Sequence, residues 1–300
     1  MKKYRLYQVD AFTRERFKGN PAGVVPDAEG LTEAQMQAIA RELNNSETAF
    51  IFSPDGADHE LQIRYFTPTV EVPTCGHATV SAHYVRAIEN NLPACRVWHK
   101  IGIGTLPVDI LKEEEDYRII MTQGKVEIAE PLDSPQTEVV LSALGLPLDD
   151  LDERCPVQLV STGNSKIMVG IKRRERLNSI TPDLNALIDL SKSLFNKGVF
   201  VFTMDSDDED ILTHARMFAP NIGINEDPVT GNGNGPLGAY LVHHNLAPHD
   251  GKEFYFKSRQ GEAIGRPGIA HVWVDIDRER PVKVRCGGDA VIAFQTEIAI

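Results

Sequence analysis

The chain of 300 residues has only four cysteines and no CxxC pair, which argues against a disulfide framework and a cysteine-rich zinc site. Sparse, separated cysteines are typical of a reducing compartment, so we predict a cytoplasmic protein. No apolar run approaches the ~20 residues that span a bilayer, and the basic N-terminus leads into no apolar signal core. We therefore expect no membrane partner.

Phosphate and dinucleotide signatures are also missing. GxxxxGK[ST] does not occur, and no GxGxxG stands in the required strand, helix and later-acid context. Lys and Arg number 31 against 43 Asp and Glu, which gives a formal net charge of -12. An acidic chain without a basic stripe argues against nucleic acid as a partner. A small anionic substrate remains compatible, because a pocket can be positive on an acidic protein.

One short pattern occurs twice. Arg64–Pro68 reads R-Y-F-T-P, and Arg216–Pro220 reads R-M-F-A-P. Each copy precedes a glycine-containing loop and a helix-like run, and a weaker pair of segments, Gly19–Val25 and Gly163–Val169, lies upstream. Three elements in the same order predict two copies of one unit. A site built from equivalent loops would lie between the two halves.

Strands dominate the rest of the pattern, and many connections look like hairpins, so we predict the α+β class. The segment Glu127–Pro135, rich in Glu, Pro and Asp, is the expected boundary. We divide the chain into an N-terminal repeat, 1–127, and a C-terminal repeat, 128–288. A last strand near 289–300 is expected to complete the first repeat.

Local signals predict several elements directly. Thr32 and Gln35 form a capping box before an amphipathic helix, and Thr48–Phe52 is an apolar strand. Ser134-Pro135 is expected to cap a helix that runs to Leu144. Further helices are predicted at His77–Asn90, Pro182–Leu194 and Gly235–Asn245.

Glu47 is the carboxylate of greatest interest. It directly precedes the apolar strand Thr48–Phe52, and partial desolvation there would raise its pKa toward the range useful for acid/base work. The alternative is a solvated residue at a strand end, where Glu is common. The segment by itself favours this alternative.

Two glycine loops, Gly76–Thr79 and Gly231–Gly235, lie where helices are expected to begin. Free backbone N–H groups and the helix dipole make such a point a ready anion site. One loop is weak evidence, because Gly before a helix is often only a turn; two equivalent loops are stronger evidence.

The side chains near these loops each have a plain structural alternative. His77 could donate to a substrate or could make a structural bond, and Asp227 could be only a turn carboxylate. Cys75 could be a thiolate at a helix N-terminus or a small buried residue. The adjacent His243 and His244 point to different sides of a helix, so we predict no metal site.

Together, seven segments resemble the PhzF-like isomerases of phenazine biosynthesis, especially the uncharacterised YddE-type members, within the diaminopimelate epimerase-like superfamily. The match runs through essentially the whole chain. These segments are Asp10-Ala11-Phe12, Gly19-Asn20-Pro21-Ala22, Ser46-Glu47-Thr48-Ala49-Phe50, Arg64-Tyr65-Phe66-Thr67-Pro68, Gly76-His77-Ala78-Thr79, Asp227-Pro228-Val229-Thr230-Gly231 and Gly287-Gly288.

The resemblance implies two similar β-roll halves, each wrapped around a central helix, with the active site in the cleft between them. It implies proton transfer without a cofactor, with Glu47 as the acid/base and with His77 and Asp227 orienting the substrate and sharing protons. The matching glycine loops imply substrate binding at Gly76, Ala78, Thr79, Gly231, Asn232 and Gly233. The phenazine enzyme often has Ser where this chain has Asn232, and this departure argues against the phenazine enzyme's substrate for this chain.

The epimerases of the superfamily use two opposed cysteines, one before each glycine loop. Cys75 matches the first, but Thr230 stands at the second position, and a threonine hydroxyl is far too weak an acid or base to replace a thiol. We therefore expect a single-carboxylate isomerase that acts on a small carboxylate. The alternatives are a non-catalytic carboxylate-binding protein and a Cys75-dependent epimerase; a homodimer is the usual expectation for the assembly.

Overall fold

The computed structural model describes residues 1–114, 116–194 and 196–300, and it has a mixed α/β fold in which strands dominate. In chain order the strands are β1 Lys3–Ala11, β2 Asn20–Val25, β3 Thr48–Phe52, β4 Leu61–Phe66, β5 Glu71–Val72, β6 Cys95–Ile101, β7 Gly104–Glu113, β8 Asp116–Thr122, β9 Glu127–Pro131, β10 Gln158–Ser161, β11 Ser165–Gly170, β12 Val199–Thr203, β13 Thr213–Ala219, β14 Ile224–Asp227, β15 Glu253–Gln260, β16 Gly268–Asp277 and β17 Arg280–Ala299. The helices are α1 Glu33–Leu43, α2 Gly76–Asn90, α3 Ser134–Leu144, α4 Arg174–Asn178, α5 Leu184–Ser193 and α6 Gly231–His243.

The chain forms two compact units. Unit 1 comprises Met1–Thr122 and Gly287–Ile300, and unit 2 comprises Gln123–Cys286. The segment Glu127–Pro135, expected as the boundary, follows the division at 122/123 and contains β9, which pairs antiparallel with β10 inside unit 2. Strand β9 is largely exposed, which accounts for its polar composition.

In unit 1, β1 pairs antiparallel with β2 and with β17, while β2 runs parallel to β3. The sheet continues through β4, β6, β7 and β8. Helix α2 packs against β1, β2, β3 and β8, and its small residues, such as Ala78 and Ala82, are fully buried. Helix α1 covers another face and contributes Met36 and Ile39 to a core with Phe50.

In unit 2, β9 to β13 pair in chain order, and β13 also pairs with β14 and β15. Strand β16 closes against β15. Helix α6 packs against β10, β11, β15 and β16, and it is buried along most of its length. Helices α3 and α5 contribute to a separate apolar core with Val169, Val201 and Phe218.

Most local predictions are confirmed, and the exceptions concern helix beginnings. The capping box of Thr32 and Gln35 is present, and Thr48–Phe52 is a strand. Helix α3 is capped by Asp133, one residue before the predicted Ser134-Pro135 cap. Helix α6 begins at Gly231, so the predicted loop is the first turn of the helix.

The repeated pattern makes the same contacts in both units. Arg64 forms a two-pronged ion pair with Glu71 at 2.7 and 2.6 Å, and Arg216 does so with Glu226 at 2.9 and 2.7 Å. Each guanidinium also lies over the phenylalanine two residues later. The pairs differ in burial: the Arg216 side chain is 7% exposed and the Arg64 side chain 34%. No helix in the described ranges is long and apolar enough to cross a membrane.

Candidate active site

Glu47 lies in the short connection between α1 and β3. Asn44 adopts a left-handed conformation and ends α1, and the chain then turns directly into the strand. The Glu47 side chain is only 12% exposed, so the alternative of a solvated strand-end residue is wrong. Burial raises the pKa of Glu47 above its ordinary value, while hydrogen bonds from Ser46 and Cys75 partly oppose this change.

His77 is the second residue of α2, and it brings the neighbouring polar groups together. Its Nε2 lies 3.2 Å from Ser46 Oγ and 3.5 Å from Glu47 Oε2. Its Nδ1 lies 3.5 Å from Cys75 Sγ. Thus unit 1 brings a carboxylate, a hydroxyl and a thiol within contact distance of one imidazole ring, that of His77.

A buried hydrogen-bond chain supports the start of α2. Thr79 Oγ1 donates to the Cys75 carbonyl at 2.7 Å and shares a 2.5 Å hydrogen bond with the Tyr65 hydroxyl. Tyr65 is fully buried, and burial raises its pKa. The predicted substrate-binding Thr79 therefore fixes Cys75 from within, and Ala78 beside it is fully buried.

The helices that carry the glycine loops differ from the outer helices at their N-termini. Thr32, Asp133 and Asp183 cap α1, α3 and α5 with a side-chain oxygen. Cys75 and Thr230 stand at the same position of α2 and α6 and make no side-chain cap. The first-turn amides, which have no carbonyl partner within a helix, are thus left uncapped by the side chain before them.

Asp227 ends β14 in unit 2 and belongs to a second polar cluster. Its Oδ2 accepts a 2.5 Å hydrogen bond from Thr230 Oγ1. Gln260, which is fully buried at the end of β15, donates to the Asp227 carbonyl at 2.8 Å and to Thr230 Oγ1 at 3.1 Å. Its Oε1 accepts from the Thr230 amide at 3.0 Å, so one amide side chain orients the whole turn.

The glycines of α6 have a packing reason that the sequence did not reveal. A Cβ on Gly233 would lie 2.4 Å from the Phe200 ring, and one on Gly235 would lie 1.8 Å from Gln123 Oε1. The Gly233 amide already donates to the Thr230 carbonyl at 3.0 Å. By contrast, a Cβ on Gly76 would meet only Met121 Cε at an ordinary 3.6 Å.

Two functional candidates escaped the sequence analysis. Gln260 is a polar residue at a strand end, and Lys166 is a polar residue near the start of β11; neither stands out without its three-dimensional surroundings. Ser46 lies in one of the segments that carry the family resemblance, but its contact with His77 depends on folding.

The same residues also include potential metal ligands. Glu47, Cys75 and His77 each offer a ligand atom, and these atoms lie within 4.8 Å of one another. A carboxylate, a thiolate and an imidazole form a donor set that suits Zn²⁺. His244, by contrast, forms a hydrogen bond with Gln158, whose Oε1 lies 2.6 Å from the His244 Nε2.

A cavity of about 470 Å³ in unit 2 is the main alternative location for a small-molecule site. Apolar side chains and Cys155 line it, together with the polar residues Thr137, Asp149, Asp152, Glu153 and Lys172. Burial raises the pKa of the Cys155 thiol to about 12, so it is a poor nucleophile at neutral pH. Two of its carboxylates lie against cations, Asp152 at 2.6 Å from Arg154 and Glu153 at 3.9 Å from Lys172, whereas Glu47 lies against an imidazole.

Comparisons with known proteins identify the family. A family model described as phenazine biosynthesis-like protein matches residues 9–296. An uncharacterized isomerase of Clostridium acetobutylicum is 57% identical, with 100% of this chain and 99% of that protein covered. The uncharacterized isomerase YddE of Escherichia coli strain K12 is 49% identical over 99% of each chain. The crystal structure of a Bacillus anthracis phenazine biosynthesis protein of the PhzF family matches with a TM-score of 0.89 and 31% identity, and both chains are covered completely.

The chain belongs to the PhzF-like family of phenazine-biosynthesis-like proteins, as its motifs predicted. The prediction of an enzyme of the isomerase class is confirmed at the level of this family. Its mixed α/β fold is the fold of the PhzF-family structure over the full length.

Proposed function

We propose that the protein is a cofactor-independent isomerase that moves a proton between carbons of a small carboxylate, with Glu47 as general acid/base. The observation that carries this proposal is the buried Glu47 carboxylate in contact with His77. A general acid/base is most effective when its pKa lies near the working pH, and burial moves the pKa of Glu47 in that direction.

The proposed reaction has two proton steps. The Glu47 carboxylate takes a proton from a carbon next to an electron-withdrawing group, and the electron pair of that C–H bond delocalises into the substrate. The proton on Glu47 exchanges with solvent, and the protonated Glu47 then donates a proton to another carbon on the same face. Ser46 and His77 hold the Glu47 carboxyl group during both steps. Because Glu47 ends in its starting protonation state, no net acid or base is consumed.

A one-carboxylate mechanism agrees with the chemistry of unit 2. The residue that stands where Cys75 stands in unit 1 is Thr230, whose hydroxyl donates to Asp227. A hydroxyl is too weak an acid to replace a thiol in a two-thiol inversion. We propose that Asp227 orients the substrate and shares protons rather than acting as the opposed base.

We propose that the substrate is a small carboxylate of the amino-acid or anthranilate type. The uncapped first turns of α2 and α6 support this class, because free amides at a helix N-terminus favour anions. The residues proposed to bind the substrate are Gly76, Ala78, Thr79, Gly231, Asn232 and Gly233. Among the glycines, Gly76 has the least packing constraint.

The finer description of the fold is part of this proposal. We propose that each unit is a β-roll around one central helix, α2 in unit 1 and α6 in unit 2. Burial of both helices and the matching Arg64–Glu71 and Arg216–Glu226 pairs support a common origin of the units.

The test is solvent deuterium incorporation into a panel of small carboxylates, followed by NMR. Wild type is expected to exchange one C–H position, and Glu47→Gln is expected to lose about 10²–10⁴-fold of that rate, the usual range for a general acid/base. Glu33→Gln, at a carboxylate 71% exposed on α1, is the matched control and should retain the wild-type rate. Equal incorporation by wild type and Glu47→Gln would contradict the role of Glu47.

One contact favours a second candidate, a Cys75-dependent epimerase. Cys75 Sγ lies 3.5 Å from His77 Nδ1, so the imidazole could take the thiol proton. This candidate predicts inversion of a stereocentre and loss of activity in Cys75→Ser. A ligand-stabilised protein that exchanges no proton in any variant would instead be a binding protein.

A further inference from the structure

Lys166 is the buried titratable residue that the proposed reaction leaves unused. It lies on β11 of unit 2, and only 4% of it is exposed. Among the described residues its ammonium has no hydrogen bond and no ion pair within 4 Å. A buried ammonium normally has a partner, because removing its charge from water is costly. Lys166 therefore has donors to offer to a ligand.

The charges around Lys166 come from two residues. The Asp227 carboxylate favours the protonated ammonium, whereas burial and the nearby Lys197 oppose it. The resulting pKa is about 8, so most Lys166 side chains carry their charge at neutral pH.

Geometry places Lys166 on the α6 side of the sheet: Met168 pairs with Phe200, whose ring packs against Gly233 of α6, and Lys166 lies two residues before Met168 on the same face of β11. Asp227, which accepts from Thr230, carries the negative charge at the start of α6.

Strand register gives Lys166 a defined counterpart in unit 1. In unit 1, the Gly23 amide donates to the Glu47 carbonyl on the parallel neighbouring strand. In unit 2, the Ile167 amide donates to the Gly198 carbonyl in the same way. Glu47 therefore corresponds to Gly198, and the residue before Gly23, Ala22, corresponds to Lys166.

The two units thus carry opposite charges at neighbouring positions of equivalent parallel strand pairs, β2–β3 in unit 1 and β11–β12 in unit 2. Unit 1 has Ala22 beside Glu47, and unit 2 has Lys166 beside Gly198. A side chain at 198 is strongly disfavoured, because the backbone there has φ +139° and a Cβ would lie 2.8 Å from the Phe218 carbonyl oxygen. Unit 2 therefore has no second acid at this position and carries a cation on the adjacent strand.

We propose that Lys166 is a substrate-binding residue that pairs with a carboxylate of the substrate, together with the uncapped first-turn amides of α6. Asp227 keeps the ammonium charged when the ligand is absent. The substrate class that follows is a monoanionic acid, since a single ammonium near Asp227 favours one negative charge over two. The identity of the ligand as a substrate rests on the proposed function. The binding test does not depend on that function.

The probes are benzoate and its neutral isostere benzamide, which have the same ring and differ in charge. Binding to the full chain is measured by ligand-observed NMR and by the ¹³C signals of reductively methylated lysines. Wild type is expected to bind benzoate at least about tenfold more tightly than benzamide, a difference of about 1.4 kcal/mol. Benzoate should shift the Lys166 signal.

Lys166→Met keeps the length of the side chain and removes its charge, so benzoate affinity should fall about tenfold or more. Lys197→Met removes a nearby charge from an exposed side chain and should bind benzoate as wild type does. Benzoate binding is measured without turnover, whereas the acid/base proposal is tested by deuterium incorporation, so a failure of one proposal is distinguishable from a failure of the other.

Three results would overturn the inference. These are no saturable benzoate binding by wild type, equal binding of benzoate and benzamide, and unchanged benzoate affinity in a folded Lys166→Met protein. If Lys166→Met does not fold, Lys166→Gln is measured in its place, and the Lys166 signal of wild type still reports whether benzoate reaches the ammonium.

Discussion

Cys75 Sγ and Glu47 Oε2 contact opposite nitrogens of the His77 ring, each at 3.5 Å. The thiol therefore touches the imidazole that touches the proposed acid/base. For a one-carboxylate enzyme, Cys75→Ser keeps a small polar group there, and the exchange rate should stay within about tenfold of wild type, less than the loss of a general acid/base. Solvent deuterium incorporation measures this rate, and a loss of more than about 10²-fold would favour the thiol-dependent alternative.

Glu47 is expected to make stability depend on pH. Folding raises its pKa above the ordinary value near 4.5, so the folded state binds its proton more tightly than the unfolded state does. This contribution to stability is complete below the ordinary pKa and is lost as pH rises through the raised pKa. Denaturation at several pH values should show a smaller fall over this window in Glu47→Gln. An equally steep fall in both proteins would contradict a raised pKa.

Removing one partner of the buried Tyr65–Thr79 hydrogen bond should cost more stability than the bond itself contributes, because the other hydroxyl is left unsatisfied. Thr79→Val leaves the buried Tyr65 hydroxyl without this partner, at an expected cost of about 1–3 kcal/mol. Tyr65→Phe combined with Thr79→Val should cost less than the sum of the single changes, because both polar partners are gone. Strictly additive free energies of unfolding would show that the two side chains do not interact.

The two arginine pairs of the repeated pattern provide an internal comparison of burial. Glu226→Ala leaves the buried Arg216 charge without its partner and should cost about 3–5 kcal/mol. Glu71→Ala breaks a pair that is about one-third exposed and should cost about 1 kcal/mol or less. Because two units can unfold separately, amide hydrogen exchange of β13 and of β4 is the suitable measurement. Equal losses of protection would contradict the burial argument.

Gly76→Ala and Gly233→Ala separate ligand approach from packing. Gly76 has room for a methyl group, so Gly76→Ala should keep wild-type stability within about 1 kcal/mol, since helix propensity favours Ala by a similar amount. Gly233→Ala forces the Phe200 ring to move and should cost about 1–3 kcal/mol. Thermal unfolding measures both changes, and a destabilised Gly76→Ala would show that this glycine also serves packing.

The parts of the fold that depend on residues adjacent in the sequence could be predicted from the sequence. The capping box of Thr32 and the apolar run Thr48–Phe52 are signals that span only a few residues, and they predict the start of α1 and strand β3 correctly. The first turn of α6 was not, because its glycines resemble a loop. Their helical conformation depends on contacts with Phe200 and Gln123, which are distant in sequence.

The candidate site was predictable where a motif carried it, and not where burial decided it. Glu47 and His77 stand in recognisable segments, but whether Glu47 is desolvated depends on the packing of α1 and α2 around it. Lys166 and Gln260 carry no local signal, because a polar residue near a strand end is usually solvated. Only the partners from β14 and the start of α6 reveal what these residues can do.

The pairing of β1 with β17 has a consequence for synthesis. Lys3 pairs with Ala299 and Ala11 with Ala290, so one edge of β1 is completed by residues 290–299. On the ribosome, the residues of unit 2 are synthesised while this edge of β1 is still open. An open strand edge can pair with other chains, and loss of residues 290–299 would leave it open permanently. The nascent and truncated forms are therefore the ones most exposed to aggregation.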